Sequence, residues 1–166
     1  MIRSVESQDV GAICRIYNYY IRNTIITFEE VEVSNAEMQA RIHRITPFFP
    51  WLVWMEVDEV LGYAYGRPWH TRSAYRFAVE SGIYLDHQAV NRGIGSTLYQ
   101  ELFTQLRNRQ FQTVIGGISL PNSASIALHE KFGFEKVAHF KSVGYKFDQW
   151  IDVGYWQLLL NSLKSN

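Results

Sequence analysis

The sequence predicts an α/β fold built on one mixed sheet with helices packed against it, and three observations point that way. Apolar residues recur at three-and-four spacing over residues 10–21 and 94–106 but alternate over residues 77–85, so the helical and strand periods are both present. The segments run strand, two helices, three strands, helix, strand, helix and closing strands, an order that is not a regular parallel βαβ repeat. At 166 residues, 47% apolar and 19% charged, the chain has the size and composition of one globular domain spanning 1–166.

Ile2 to Val5 reads as a short strand. Ser7 or Asp9 then caps a helix carrying Val10, Ile13, Cys14, Ile16, Tyr17, Tyr20 and Ile21 as a single apolar stripe. Cys14 belongs to that stripe and reads as a small buried hydrophobe, not a nucleophile. Ser34-Asn35-Ala36-Glu37 has the S-x-x-E form of a capping box and opens a second helix through about Ile45, before Pro47 and Pro50 interrupt. Thr24 to Val33 is the loop between the two helices. Trp51 to Val57 and Val60 to Gly66 flank the polar pair Asp58-Glu59, which is a hairpin pattern.

Phe77 to Leu85 is the most informative strand. Phe77, Val79, Ile83 and Leu85 hold odd positions and Ala78, Glu80, Gly82 and Tyr84 even ones, so alternation puts Glu80 opposite the apolar face. Small Ala78 and Gly82 leave space beside its carboxylate. Gly93-Ile94-Gly95 opens a helix with Ile94, Leu98, Leu102 and Leu106 on one face, ending near Asn108. Val114 to Ser119 is a strand, Asn122 or Ser123 caps a short helix through Phe132, and Gly133 ends it. Phe134 to Phe140 and Tyr155 to Leu160 close the chain as strands.

Composition narrows the function. Lys and Arg number 16 and Asp and Glu 16, so no general attraction for nucleic acid or an anionic membrane is expected, and any anion must be held locally. No apolar run approaches the roughly 20 residues of a membrane-spanning helix. The N-terminus lacks the basic-then-apolar pattern of an export signal, which makes the cytoplasm the expected location. One cysteine cannot form an internal disulfide, and His43, His70, His87, His129 and His139 include no pair at zinc-helix spacing, so no metal is expected. The 10 Phe, 10 Tyr and 5 Trp exceed the needs of a small core and suit a pocket wall or a dimer contact.

A Gly-x-Gly at a helix start lets backbone N–H groups approach a phosphate that also benefits from the helix dipole. A dinucleotide fingerprint would need a third glycine where Leu98 stands, and no Gly-Lys-Ser/Thr follows to make a Walker loop. The neighbouring segments decide the matter. They are Glu80-Ser81-Gly82-Ile83-Tyr84-Leu85, then Asn91-Arg92-Gly93-Ile94-Gly95-Ser96-Thr97-Leu98-Tyr99, then Leu120-Pro121-Asn122-Ser123-Ala124-Ser125. Leu128-His129-Glu130-Lys131-Phe132-Gly133-Phe134 and the tail Gly144 to Leu158 complete the set. Over nearly its full length the chain resembles the GNAT acetyltransferase superfamily, and within it the phosphinothricin and methionine sulfoximine N-acetyltransferase branch.

The resemblance implies a GNAT fold, with a mixed, mostly antiparallel, twisted sheet flanked by helices. It implies acetyl-CoA as acetyl donor and the α-amine of a small amino acid as acceptor, joined by direct attack in a ternary complex. The pyrophosphate loop falls on Val90 to Gly95, where Val90 departs from the usual Gln or Arg; Asn91, Arg92, Gly93, Ile94, Gly95 and Ser96 surround the phosphates. Ile83, Tyr84 and Leu85 pair through their backbone with the pantetheine arm as an added strand would, and Asn122 contacts the cofactor. Glu80 fits a general base or water-relay acceptor both by strand phase and by resemblance. His129 stands where many members carry tyrosine, near the departing sulfur. Arg72 meets an anionic group of the acceptor and Tyr75 lines the pocket, with Phe28 and Glu29 at its mouth, whereas Arg67 and Arg76 read as ordinary surface charge. The branch also implies a homodimer. The alternatives are transfer to another amine, a peptide N-terminus or polyamine, or a non-catalytic acyl-CoA-binding sensor.

Overall fold

The computed structural model describes residues 1–160, so the 161–166 end of the expected domain lies outside the described residues. The elements are β1 (Ile2–Ser4), α1 (Val10–Asn23), α2 (Asn35–Ile45), β2 (Trp51–Glu56), β3 (Glu59–Pro68), β4 (Ala78–Leu85), α3 (Ile94–Asn108), β5 (Thr113–Leu120), α4 (Ser123–Lys131), β6 (Glu135–Lys146) and β7 (Gln149–Leu159). One sheet runs in the order β1-β2-β3-β4-β5-β7-β6, and every neighbouring pair is antiparallel except β4 with β5. This is the mixed, mostly antiparallel architecture that the resemblance implies.

Both faces of the sheet are covered, each by its own apolar cluster. Leu98, Leu102 and Leu106 of α3 pack with Leu52, Ala64, Val79 and Val114 on one face. Ile13, Ile16 and Ile21 of α1 pack with Met38 and Ile42 of α2 and with Trp51, Val53 and Tyr63 on the other. Alternation along β2 thus sends Leu52 to one core and Trp51 and Val53 to the other. Cys14 is buried in the second core, its thiol donating to the Val33 carbonyl at 2.9 Å.

Helix ends depart from expectation in detail. Ser34 Oγ accepts the Glu37 N–H at 3.2 Å, but the Glu37 carboxylate turns to Arg41, so only half of a capping box forms. Neither Ser7 nor Asp9 caps α1 through its side chain; Asp9 accepts the Glu6 N–H at 2.7 Å and fixes a single 3-10 turn, Ser7–Asp9, ahead of the helix. Asn122 does cap α4, accepting the Ser125 N–H at 3.1 Å.

Two hairpins correct the strand boundaries. The β2–β3 turn is Val57-Asp58, one residue before the expected pair, with φ of 44° and 63° at its two residues. More consequentially, the closing hairpin is far longer than Phe134–Phe140 and Tyr155–Leu160, and it turns at Phe147-Asp148. Strand β6 is the sheet edge, largely exposed, and its register slips between Lys136 and Ala138 and again between Phe140 and Gly144. Those slips interrupt the period-two alternation between Lys136 and Gly144.

Candidate active site

The cleft originates in the one parallel pairing. Strands β4 and β5 are in register only at Ala78–Thr113, Val79–Val114 and Glu80–Ile115. Beyond Glu80, β4 stays paired with β3 as far as Leu85 and β5 stays paired with β7 as far as Leu120, so the two strands part. A cavity of about 600 Å³ fills the opening, with Glu80 to Tyr84 on one side and Gly117 to Ser119 on the other. The β4 backbone facing this gap has no strand partner there, which leaves donors and acceptors for an extended ligand.

Glu80 stands at the point where the strands diverge. Arg67 lies directly across on β3, donating from Nε to Glu80 Oε2 at 3.0 Å and from Nη2 to Oε1 at 2.9 Å. Burial opposes the Arg67 charge, but its hydrogen bonds and proximity to Glu80 outweigh that penalty and hold the guanidinium protonated. Arg67 is therefore a wall of the cavity and not ordinary surface charge. Glu29, at the mouth, is equally occupied: Arg41 donates to both its oxygens at 2.7 and 2.8 Å and Tyr17 donates its hydroxyl to one of them. Hydrogen bonding from Arg41 holds the Glu29 carboxyl below its usual range.

His129 reaches the cavity from the opposite face. It is only 3% exposed and rests on Gly116 of β5, where a Cβ would come within 2.5 Å of Nε2. The 2.7 Å separation of Nδ1 from the Ser125 carbonyl assigns the proton to Nδ1, which leaves Nε2 as acceptor for the Tyr99 hydroxyl at 3.2 Å. Tyr99 is in turn 3.3 Å from Ser81 Oγ. Burial pushes the His129 pKa down, only partly offset by the Ser125 bond, so the ring is neutral at neutral pH.

A depressed folded-state pKa means that the unfolded chain binds the proton first. The stability held by neutral His129 is thus present above the ordinary value of 6.5 and is lost as pH falls through the folded value. In urea titrations at pH 7 and pH 5, the wild-type midpoint is expected to fall more than that of His129→Gln. Equal falls would contradict the assignment.

The glycine loop closes the far end of the cleft without lining it. Gly93 has φ of 79° and caps α3 with no atom within 4 Å of where a Cβ would stand. No side chain caps α3, so the first-turn N–H groups of Ile94, Gly95 and Ser96 remain available to an anion. A Cβ on Gly95 would lie 3.5 Å from Ile83, which fixes the loop against the end of β4. Asn91 also has positive φ, at 62°, and Val90 is exposed. The Arg92 guanidinium is paired with Glu56, while Lys131 Nζ donates to Ser96 Oγ at 2.9 Å. These groups fit a pyrophosphate held mainly by backbone.

Residues 2–154 match the acetyltransferase (GNAT) domain family. The chain belongs to the GNAT acetyltransferases. It is 36% identical to a phosphinothricin N-acetyltransferase of Streptomyces viridochromogenes over 94% of this chain and 85% of that protein. It is 33% identical to an L-methionine sulfoximine/L-methionine sulfone acetyltransferase of Pseudomonas aeruginosa over 99% and 96% of the two chains. Among solved structures, a GNAT superfamily phosphinothricin acetyltransferase (Pat) from Sinorhizobium meliloti in complex with AcCoA superimposes with a TM-score of 0.96 at 34% identity, covering 100% of this chain and 91% of that one.

For this GNAT acetyltransferase, the cavity gathers Glu80, Ile83, Tyr84, Asn122, His129, Phe28 and Glu29 from the expected set. Leu85 sits just beyond, its carbonyl accepting the Tyr20 hydroxyl at 2.7 Å. Arg72 and Tyr75 are not among the lining residues; both are exposed on the segment after β3, where Arg72 precedes the 3-10 turn Ser73–Tyr75 and the Tyr75 ring stands 5.0 Å from that of His70. The guanidiniums lining the cavity belong to Arg67, which reads as surface charge in the sequence, and to Arg41, which the sequence does not single out. The β3–β4 register identifies Arg67, and that register depends on a nine-residue connection, 69–77, whose path the sequence does not reveal. Tyr99 had a usable signal, since Gly95, Tyr99 and Phe103 lie four apart beside the Ile94 stripe.

Among the described residues, no helix is long and apolar enough to cross a membrane.

Proposed function

We propose that this enzyme transfers an acetyl group from acetyl-CoA to the α-amine of a small amino acid of the phosphinothricin, methionine sulfoximine or methionine sulfone type. The parting of β4 from β5 at Glu80 carries this reading, because it offers an unpaired strand edge, an anion site at its end and a carboxylate at its apex. The pantetheine arm runs along Ile83 to Leu85, and the pyrophosphate rests on the N–H groups after Gly93 with Lys131 and Arg92 beside it. The amine nitrogen attacks the thioester carbonyl directly and the CoA thiolate leaves, without an acyl-enzyme. Both Glu80 oxygens accept from Arg67 yet keep further lone pairs, so Glu80 takes the amine proton itself or through one water. Arg67 replaces Arg72 as the cation nearest the acceptor amine and carboxylate.

The donor half is tested at Gly93. A β-branched residue at φ of 79° costs about 1–2 kcal/mol, or roughly tenfold in affinity if the loop shifts to relieve it. Calorimetry with acetyl-CoA is expected to show that loss in a folded Gly93→Val protein and little change in Val90→Gln. Unchanged affinity in Gly93→Val would remove the loop from the donor site.

The enzyme works in the cytoplasm as a homodimer. Exposed Phe140, Tyr145, Phe147 and Trp150 on the β6–β7 hairpin support the dimer, since a monomer rarely displays so many aromatic rings on one edge.

A further inference from the structure

We infer that Lys146 is a positioning residue that fixes the acceptor side of the cavity by tethering the loop between α1 and α2. The inference rests on the reading that Phe28 and Glu29 face the acceptor. Lys146 is the last residue of β6 and only 2% exposed. Its ammonium donates to the Thr24 and Thr27 carbonyls, each at 2.8 Å, and stands 5.0 Å from the Phe147 ring centroid. Among the described residues, no carboxylate bonds to it. Glu30 and Glu29 act on it only through space, and burial draws its pKa down.

A buried ammonium held by two carbonyls is costly unless its geometry is well fixed, and here both carbonyls belong to one irregular loop. Other ties from β5 and β6 act on the same segment. Ser119 Oγ donates to the Ile25 carbonyl at 2.6 Å, and the Phe28 ring lies against Gly144, where no Cβ could stand without displacing it. Ile26, Thr27 and Phe28, which wall the cavity, are thus held in part from β5 and β6 through contacts distant from the cofactor loop, while Tyr17 of α1 bonds Thr27 and Glu29 and Arg41 of α2 bonds Glu29. A lysine in this place secures one wall without touching the substrate.

The test compares Lys146→Met and Gly144→Ala with wild type by hydrogen exchange, acetyl-CoA calorimetry and acceptor kinetics. Both variants are expected to speed amide exchange over residues 24–30, raise the acceptor KM about tenfold, leave kcat within about threefold, and leave acetyl-CoA affinity within about twofold. A lysine that only supported the fold would weaken donor and acceptor together. If Lys146→Met does not fold, Lys146→Gln, whose shorter amide keeps a donor for at most part of the carbonyl pair, is read by the same exchange and kinetic measurements. Unchanged exchange at residues 24–30 in a folded variant overturns the tether, whatever the acceptor proves to be. Faster exchange with unchanged KM for every acceptor that wild type acetylates overturns its role in positioning. Absence of any amino-acid acceptor for wild type would instead count against the proposed function.

Discussion

Glu80→Gln is expected to lower kcat by about 100-fold or more, the usual scale for removing a general base, while acetyl-CoA affinity is retained. Glutamine preserves the shape of the side chain, but its amide nitrogen cannot accept from Arg67, so one arm of the bidentate contact is lost as well. Arg67→Gln separates the two effects. It removes the same pair yet leaves the carboxylate, and it should act chiefly on the acceptor KM. The split between the two constants is the more specific readout: Glu80→Gln should act on kcat, whereas Arg67→Gln should act on the acceptor KM. A Glu80→Gln enzyme with wild-type kcat would hand the proton to water or to another group.

Gly116→Val carries the second large effect. The new Cβ would meet His129 Nε2 at 2.5 Å and Cδ2 at 2.6 Å, and the imidazole, packed edge-on against Phe134 and Tyr99, would have to shift. Overpacking of this kind costs about 1–3 kcal/mol of stability. It also breaks the 3.2 Å contact to Tyr99, so kcat is expected to fall at least about tenfold with acetyl-CoA affinity little changed. Thermal unfolding and initial rates measure the two consequences. Combining Gly116→Val with His129→Ala should lose scarcely more activity than His129→Ala alone. Full activity in folded Gly116→Val would show that His129 has no part in turnover.

Glu80 was legible in the sequence because strand phase alone puts its side chain opposite Val79, and the β4 pairing with β3 preserves that phase without a slip. The helices were legible for a similar reason: α1 and α3 each present one apolar stripe to one core. What escaped depends on contacts between segments far apart in the chain. Arg67 reaches Glu80 through cross-strand register, Tyr99 meets an imidazole on another helix, and Lys146 bonds a loop more than 100 residues earlier. Arg72 shows the reverse. Its neighbours resemble a substrate-binding segment, but the connection after Pro68 carries it to an exposed turn outside the cavity walls. The closing hairpin was under-read because an exposed edge strand with two register slips keeps only an interrupted period.

The central claim is that the cleft between β4 and β5 acetylates the α-amine of a small amino acid. One thiol-release assay tests it most directly, with acetyl-CoA fixed and an acceptor panel of phosphinothricin, methionine sulfoximine, methionine sulfone, a polyamine and a peptide with a free N-terminus. CoA release is expected with phosphinothricin, methionine sulfoximine and methionine sulfone, and rates near background with the polyamine and the peptide. Release driven by the peptide or polyamine while every amino acid stays at background, or acetyl-CoA binding with no release for any amine, would contradict it.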